Sequence, residues 1–145
     1  MYDGAVMTIR VLSAALALAF LAVSPGAAVT FTKTHYPAGP SPRAAVAADF
    51  SRNGTLDLVV ASSGDNQVWW REGLKATGGF GAARPSAAAA EPRALAVGDF
   101  NRDGRKDLAV ACAGANVVSV LWGDGAGGFG TRTDVPVGSG PVSLV

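Results

Sequence analysis

The chain has 145 residues, a formal net charge of +1 and only 16% charged residues, so bulk electrostatics give no case for a nucleic-acid partner. Hydrophobic residues make up 49%, weighted towards the N-terminus, and helical heptads are absent. A single cysteine, Cys112, excludes an intrachain disulfide framework.

Residues 1–28 read as a secretory signal helix. Arg10 supplies a positive start, Val11 to Val23 an apolar core broken only by Ser13, and Pro25 a helix stop. Gly26-Ala27-Ala28 then offers small residues for cleavage. Met7 is an alternative start. The core is shorter than the 18 or so residues of a spanning helix, so no stable membrane span is expected after cleavage. A membrane anchor or a buried helix is the competing reading. The expected location is extracellular, with residues 29–145 forming the mature chain.

The next marked stretch is Asp49-Phe50-Ser51-Arg52-Asn53-Gly54-Thr55-Leu56-Asp57. Fifty residues on, it recurs as Asp99-Phe100-Asn101-Arg102-Asp103-Gly104-Arg105-Lys106-Asp107. Oxygen-bearing side chains fall at positions 1, 3, 5 and 9, and glycine at position 6. Ca²⁺ takes six to eight oxygens at short range, and alternate residues of a tight loop can turn theirs to one point. Asp99, Asn101, Asp103 and Asp107 would give side-chain oxygens, and Arg105 its backbone carbonyl. Asp49, Ser51, Asn53, Thr55 and Asp57 hold the matching places. Gly54 and Gly104 permit the sharp turn. With three carboxylates against two, the second loop should bind more tightly. Neither loop is an EF-hand, because position 12 is Val60 or Val110 where that motif needs a Glu. Ordinary polar hairpin turns share this composition. Asn53-Gly54-Thr55 also fits a glycosylation sequon.

The period extends beyond the loops. Pro42-Arg43-Ala44-Ala45-Val46 precedes the first, Pro92-Arg93-Ala94-Leu95-Ala96 the second, and Pro141-Val142-Ser143-Leu144-Val145 resembles a third start. Phe31, Gly79-Phe80-Gly81 and Gly128-Phe129-Gly130 are aromatic markers. Gly64-Asp65-Asn66 and Gly114-Ala115-Asn116 correspond as turns. Such a period signals stacked repeats. Four strands are predicted in the second copy: Ala94 to Phe100, Asp107 to Cys112, Val117 to Trp122, and one from about Phe129 to Val137. The second of these is nearly all apolar, as a strand covered on both faces should be. Four antiparallel strands of this length make a propeller blade. Phe31 to Tyr36 would be the outer strand of a preceding blade.

The run Asp-Phe-Asn-Arg-Asp-Gly-Arg-Lys-Asp-Leu-Ala-Val-Ala, followed by Ala-Asn-Val-Val-Ser-Val-Leu-Trp-Gly-Asp-Gly-Ala-Gly-Gly-Phe, resembles the FG-GAP/VCBS repeat family, which includes the integrin α-subunit propeller. The resemblance runs from about Phe31 to Val145. It implies a propeller, typically of seven blades, with calcium in hairpin loops. By it, Asp49, Ser51, Asn53 and Asp57 take ligand positions in one loop, and Asp99, Asn101, Asp103 and Asp107 in the other. The first loop departs by placing Ser and Asn where carboxylates are common. The expected fold is therefore all-β, a β-propeller fragment of about two four-stranded blades plus partial ones. A closed propeller needs four to eight blades. Either the sequence is truncated, or several copies assemble into a ring.

Little points to catalysis. His35 is the only histidine, and Asp65, Glu72, Glu91, Asp124 and Asp134 show no spacing of an acid/base pair. Cys112 sits in an apolar run and reads as a buried thiol. Trp70 aligns with Val120, a packing position between blades. Trp69 aligns with Ser119 and could face outward to stack on a sugar, although filling of the core or of the space between blades is the favoured reading, since aromatic side chains carry large burial areas. Arg52, Arg102, Arg105 and Lys106 read as solvated loop side chains. The expected function is non-enzymatic: a secreted calcium-binding segment for adhesion or for binding a protein or carbohydrate. The alternative is the accessory domain of a secreted polysaccharide-acting hydrolase or lyase.

Overall fold

A computed structural model of the chain describes residues 33–145, together with the backbone of two short strands, β1 (Met7–Thr8) and β2 (Val29–Thr30), which pair in parallel. Apart from these strands, the expected signal helix lies outside the described residues. The chain divides into two compact units, Met1–His35 and Tyr36–Val145.

The second unit is all-β. Strands β3 (Pro42–Ala48), β4 (Asp57–Ser62), β5 (Gln67–Leu74) and β6 (Gly79–Ala87) form one four-stranded antiparallel sheet in sequential order. Strands β7 (Pro92–Gly98), β8 (Asp107–Cys112), β9 (Val117–Gly123) and β10 (Phe129–Pro136) form a second. Registers repeat as well as order: Val46 opposes Val59 as Ala96 opposes Ala109, and Ala48 opposes Asp57 as Gly98 opposes Asp107. The four expected strands of the second copy are all present, with ends shifted by at most two residues.

Side-chain alternation decides which face is buried. From the first sheet, Val59, Ala61, Val68 and Trp70 point to one side. From the second, Leu95, Leu108, Val110, Cys112 and Leu121 point back at them, and the two sets share one core. Ala88, in the linker between the sheets, closes that core. All six residues of β8 are buried, five of them the apolar run Leu108 to Cys112. Arg84 and Pro85 on β6, and Arg132, Asp134 and Pro136 on β10, blunt the outer edges against further strand pairing.

The linkers repeat too. Ser41 and Glu91 both adopt φ of 53°, and Gly140 adopts 63°, immediately before Pro42, Pro92 and Pro141. The Ser63 and Gly64 amides donate to Ser41 O and Pro40 O, as the Ala113 and Gly114 amides donate to Glu91 O and Ala90 O. Asn66 fixes the linker between the sheets twice: its backbone carbonyl accepts the Ala88 N–H, and its side-chain oxygen accepts the Glu91 N–H. Asn116 does the same for Val137 and Gly140.

One expectation is corrected. In its described part, Lys33 to Tyr36, the predicted outer strand is absent. Among the described residues no strand pairs with it. Tyr36 is anchored instead by its side chain: its hydroxyl accepts the Phe80 N–H at 3.2 Å, and its ring meets Phe80 edge-on at 5.3 Å. The Arg71 guanidinium lies over the Tyr36 ring and donates to Pro37 O at 2.8 Å.

Candidate metal loops

Each aspartate loop connects the first two strands of its sheet, β3 to β4 and β7 to β8. Their backbones coincide in kind: Arg52 and Arg102 have φ of 58° and 61°, Gly54 and Gly104 of 79° and 82°. These left-handed positions turn the chain back on itself within a few residues.

The first residue of each loop closes it. Asp49 accepts the N–H of Asn53 at 3.0 Å and of Gly54 at 2.9 Å. Asp99 accepts those of Asp103 and Gly104, both at 3.0 Å. The position 5 side chain then caps the next turn, Asn53 taking the Thr55 N–H and Asp103 the Arg105 N–H, each at 2.8 Å. In the second loop Asn101 adds two contacts to Asp103, one as acceptor from its amide and one as donor to its carboxylate.

The ninth residue behaves differently. Asp57 and Asp107 are fully buried. Asp57 accepts from the amides of Phe50, Ser51 and Gly73, and Asp107 from those of Phe100 and Gly123. Each ties the start of its loop to the third strand of its sheet. Charged acceptors with several N–H donors make strong bonds, and burial without them would be costly. The partner glycines are required by contact. A Cβ on Gly73 would fall 2.2 Å from Leu56 O, and one on Gly123 2.1 Å from Lys106 O. This staple was not read from the sequence, although Gly73 and Gly123 recur at the same fifty-residue period and could have signalled it.

All ten expected donors therefore lie in two loops of the same build: Asp49, Ser51, Asn53, Thr55 and Asp57 in one, Asp99, Asn101, Asp103, Arg105 and Asp107 in the other. Asn101, Asp103 and Arg105 are exposed, Asp49 and Asp99 partly so. Among the described residues, no three side chains of Asp, Glu, His and Cys converge on one point. A cation held here would draw on amide, hydroxyl and carbonyl oxygens beside the carboxylates. That all-oxygen set fits a hard cation such as Ca²⁺. In the first loop the Ser51 hydroxyl is buried with no hydrogen-bond partner among the described residues, a donor left over for such an ion.

The Asp103 carboxyl is held below the usual carboxylate range, first by the hydrogen bond from Asn101 and then by that from the Arg105 amide. Burial pushes the Cys112 thiol up, with Ser119 opposing the shift. Trp70, 1% exposed, lies between the sheets under the Arg84 guanidinium, as its alignment with Val120 predicts. Trp69 is half-buried, and its indole N–H donates to Asp65 at 3.0 Å.

Two successive four-stranded antiparallel sheets, each with an aspartate loop between its first strands and a glycine-phenylalanine at the start of its fourth, define an all-β repeat protein. Residues 49–110 match the FG-GAP-like repeat family, so the chain carries an FG-GAP-like repeat that runs from the first loop through β4 to β7 and the second loop into β8. No curated protein and no solved structure matches the chain.

Proposed function

We propose that the chain is a segment of a secreted β-propeller in which calcium held by the two aspartate loops stiffens neighbouring blades. The loops joining the strands would then bind a protein or carbohydrate ligand, without catalysis. In this reading each four-stranded sheet is one blade. Further blades, from a longer chain or from further copies, complete the ring. The observation that carries the proposal is the duplicated loop. Oxygen donors at the same loop positions, the same left-handed turn and the same buried aspartate appear twice, fifty residues apart.

Calcium would neutralise the carboxylates that the loop brings close and cross-link the loop to itself. Asp99, Asn101, Asp103, Arg105 and Asp107 would hold it in the second loop, and Asp49, Ser51, Asn53, Thr55 and Asp57 in the first. A ligand bound only by the folded state raises the melting temperature, by an amount that grows with the logarithm of its concentration above the dissociation constant. Thermal unfolding of the mature chain is expected to shift upward on addition of roughly millimolar Ca²⁺, the range of extracellular sites. An unchanged melting temperature would overturn the metal reading. Export is tested separately, by sequencing the N-terminus of the protein recovered from culture medium.

A further inference from the structure

Asn53 is the only one of the four asparagines followed by glycine; Asn66 precedes Gln67, Asn101 precedes Arg102 and Asn116 precedes Val117. We propose that Asn53 is a self-modification site, at which the loop converts the side-chain amide to a carboxylate and so gives the first loop the donor charge of the second.

The surroundings of Asn53 supply each part of that reaction. The nucleophile is the Gly54 amide nitrogen, which carries no neighbouring Cβ to crowd its approach to Asn53 Cγ. Two contacts bear on that nitrogen. The Lys75 ammonium donates to Asn53 O at 3.3 Å, polarising the peptide to which the nitrogen belongs. The Gly54 N–H itself points at Asp49 Oδ2, 2.9 Å away, a carboxylate placed to receive its proton. On the electrophile, the Thr55 N–H donates to Asn53 Oδ1 at 2.8 Å, and the Thr55 hydroxyl touches the same oxygen. Donors on a carbonyl oxygen stabilise the charge that develops there during attack. The departing nitrogen, Asn53 Nδ2, donates to Glu72 Oε1 at 3.2 Å.

The step balances without a redox partner. The Gly54 N–Cγ bond forms and the amide proton passes to Asp49. The Cγ–Nδ2 bond breaks, and Nδ2 leaves as ammonia with that proton. Water then opens the cyclic imide, giving aspartate or its β-linked isomer. In sum, one amide and one water become one carboxylate and one ammonia. The product has a ready place. In the second loop a carboxylate already occupies this position: Asp103 accepts the Arg105 N–H and its own N–H is held by Asp99, as Asn53 is placed with respect to Thr55 and Asp49.

The test is incubation of the intact chain at neutral to mildly alkaline pH, with peptide mapping by mass spectrometry. Asn53 is expected to convert at least about tenfold faster than Asn101, its exposed neighbour in the second loop, and faster than in the same chain held in denaturant. Lys75→Met and Asp49→Asn should each slow the conversion by at least about tenfold, short of the roughly hundredfold that an optimally placed general acid or base contributes at the low end. Circular dichroism would show that both variants stay folded. A folded chain whose Asn53 remains an amide, or variants that convert at the parent rate, would overturn the proposal. The effect on calcium rests on the function proposed above and reads out separately. Conversion without any gain in cation affinity would count against that function and leave the modification standing.

Discussion

The ring of Phe50 meets the ring of Phe129 edge-on, with centroids 5.4 Å apart and planes at 76°. One residue belongs to the aspartate loop of the first sheet and the other to the first position of the last strand of the second. The pair therefore clasps one repeat to the next. Tyr36 and Phe80 form the same kind of contact at 5.3 Å, so Tyr36 sits where the loop phenylalanine of an earlier repeat would. Phe100, the counterpart of Phe50, is 48% exposed where Phe50 is 2% exposed.

Phe129→Ala should therefore weaken the contact between the sheets. A loss of about 2–3 kcal/mol is expected, somewhat below the usual range for a fully buried phenylalanine because Phe129 is half-buried. Phe100→Ala, at the exposed equivalent of Phe50, should stay within about 0.5 kcal/mol of the parent. Urea unfolding of both variants checks the difference, and equal losses would show that the clasp contributes nothing.

The buried carboxylates give a second expectation. Asp57→Ala strands the amides of Phe50, Ser51 and Gly73 away from water. Each unsatisfied buried donor costs about 1–3 kcal/mol, so the variant should lose several kcal/mol or fail to fold. Gly123→Ala should be comparably harmful, since its Cβ would press on the Lys106 carbonyl oxygen. Both effects must appear without calcium, because they belong to the protein's own hydrogen bonds. A loss that appears only in the presence of calcium would show that Asp57 acts through the metal and not through these amides.

Asp103 and Asn53 occupy the same loop position with different charge. Asp103→Ala should weaken calcium binding more than Asn53→Ala, as read by isothermal titration, because it removes a carboxylate. Equal effects would remove the ranking of the two loops. In the metal-free protein the Asp103 carboxyl is held below its ordinary value by Asn101. Its ionised form is thus favoured in the fold. The resulting stabilisation is present above the ordinary value of 3.8 and is lost as pH falls through the lowered one. An NMR titration of Asp103 should move back towards 3.8 in Asn101→Ala.

Cys112 is fully buried at the sheet interface, and its thiol ionises less readily than an exposed one. Since the thiolate is the reactive form, alkylation of the native protein near pH 8 should be slow and should track unfolding. Its rate should rise in Phe129→Ala if that variant loosens the sheet interface. Rapid labelling of the native parent would contradict the burial.

The sequence by itself determined the repeat. Its fifty-residue period, the two Asp-rich loops and the apolar run Leu108 to Cys112 are one-dimensional signals, and they located the sheets and their strands because strand periodicity and turn chemistry act locally. The interior place of Trp70 was also legible, through its alignment with Val120. What only the tertiary structure decided depends on partners distant in the chain. Asp57 and Asp107 read as loop ligands in sequence, and the fold adds a second role: one oxygen of each accepts an amide of β5 or β9 that arrives only when the sheet forms. Asn66 and Asn116 read as turn residues and prove to hold the linkers. Tyr36 reads as part of a strand, yet among the described residues no strand pairs with it, and its side chain holds it instead. A turn or a strand can be specified by neighbouring residues, whereas the choice of hydrogen-bond partner for a buried polar group is made by whatever the fold brings beside it.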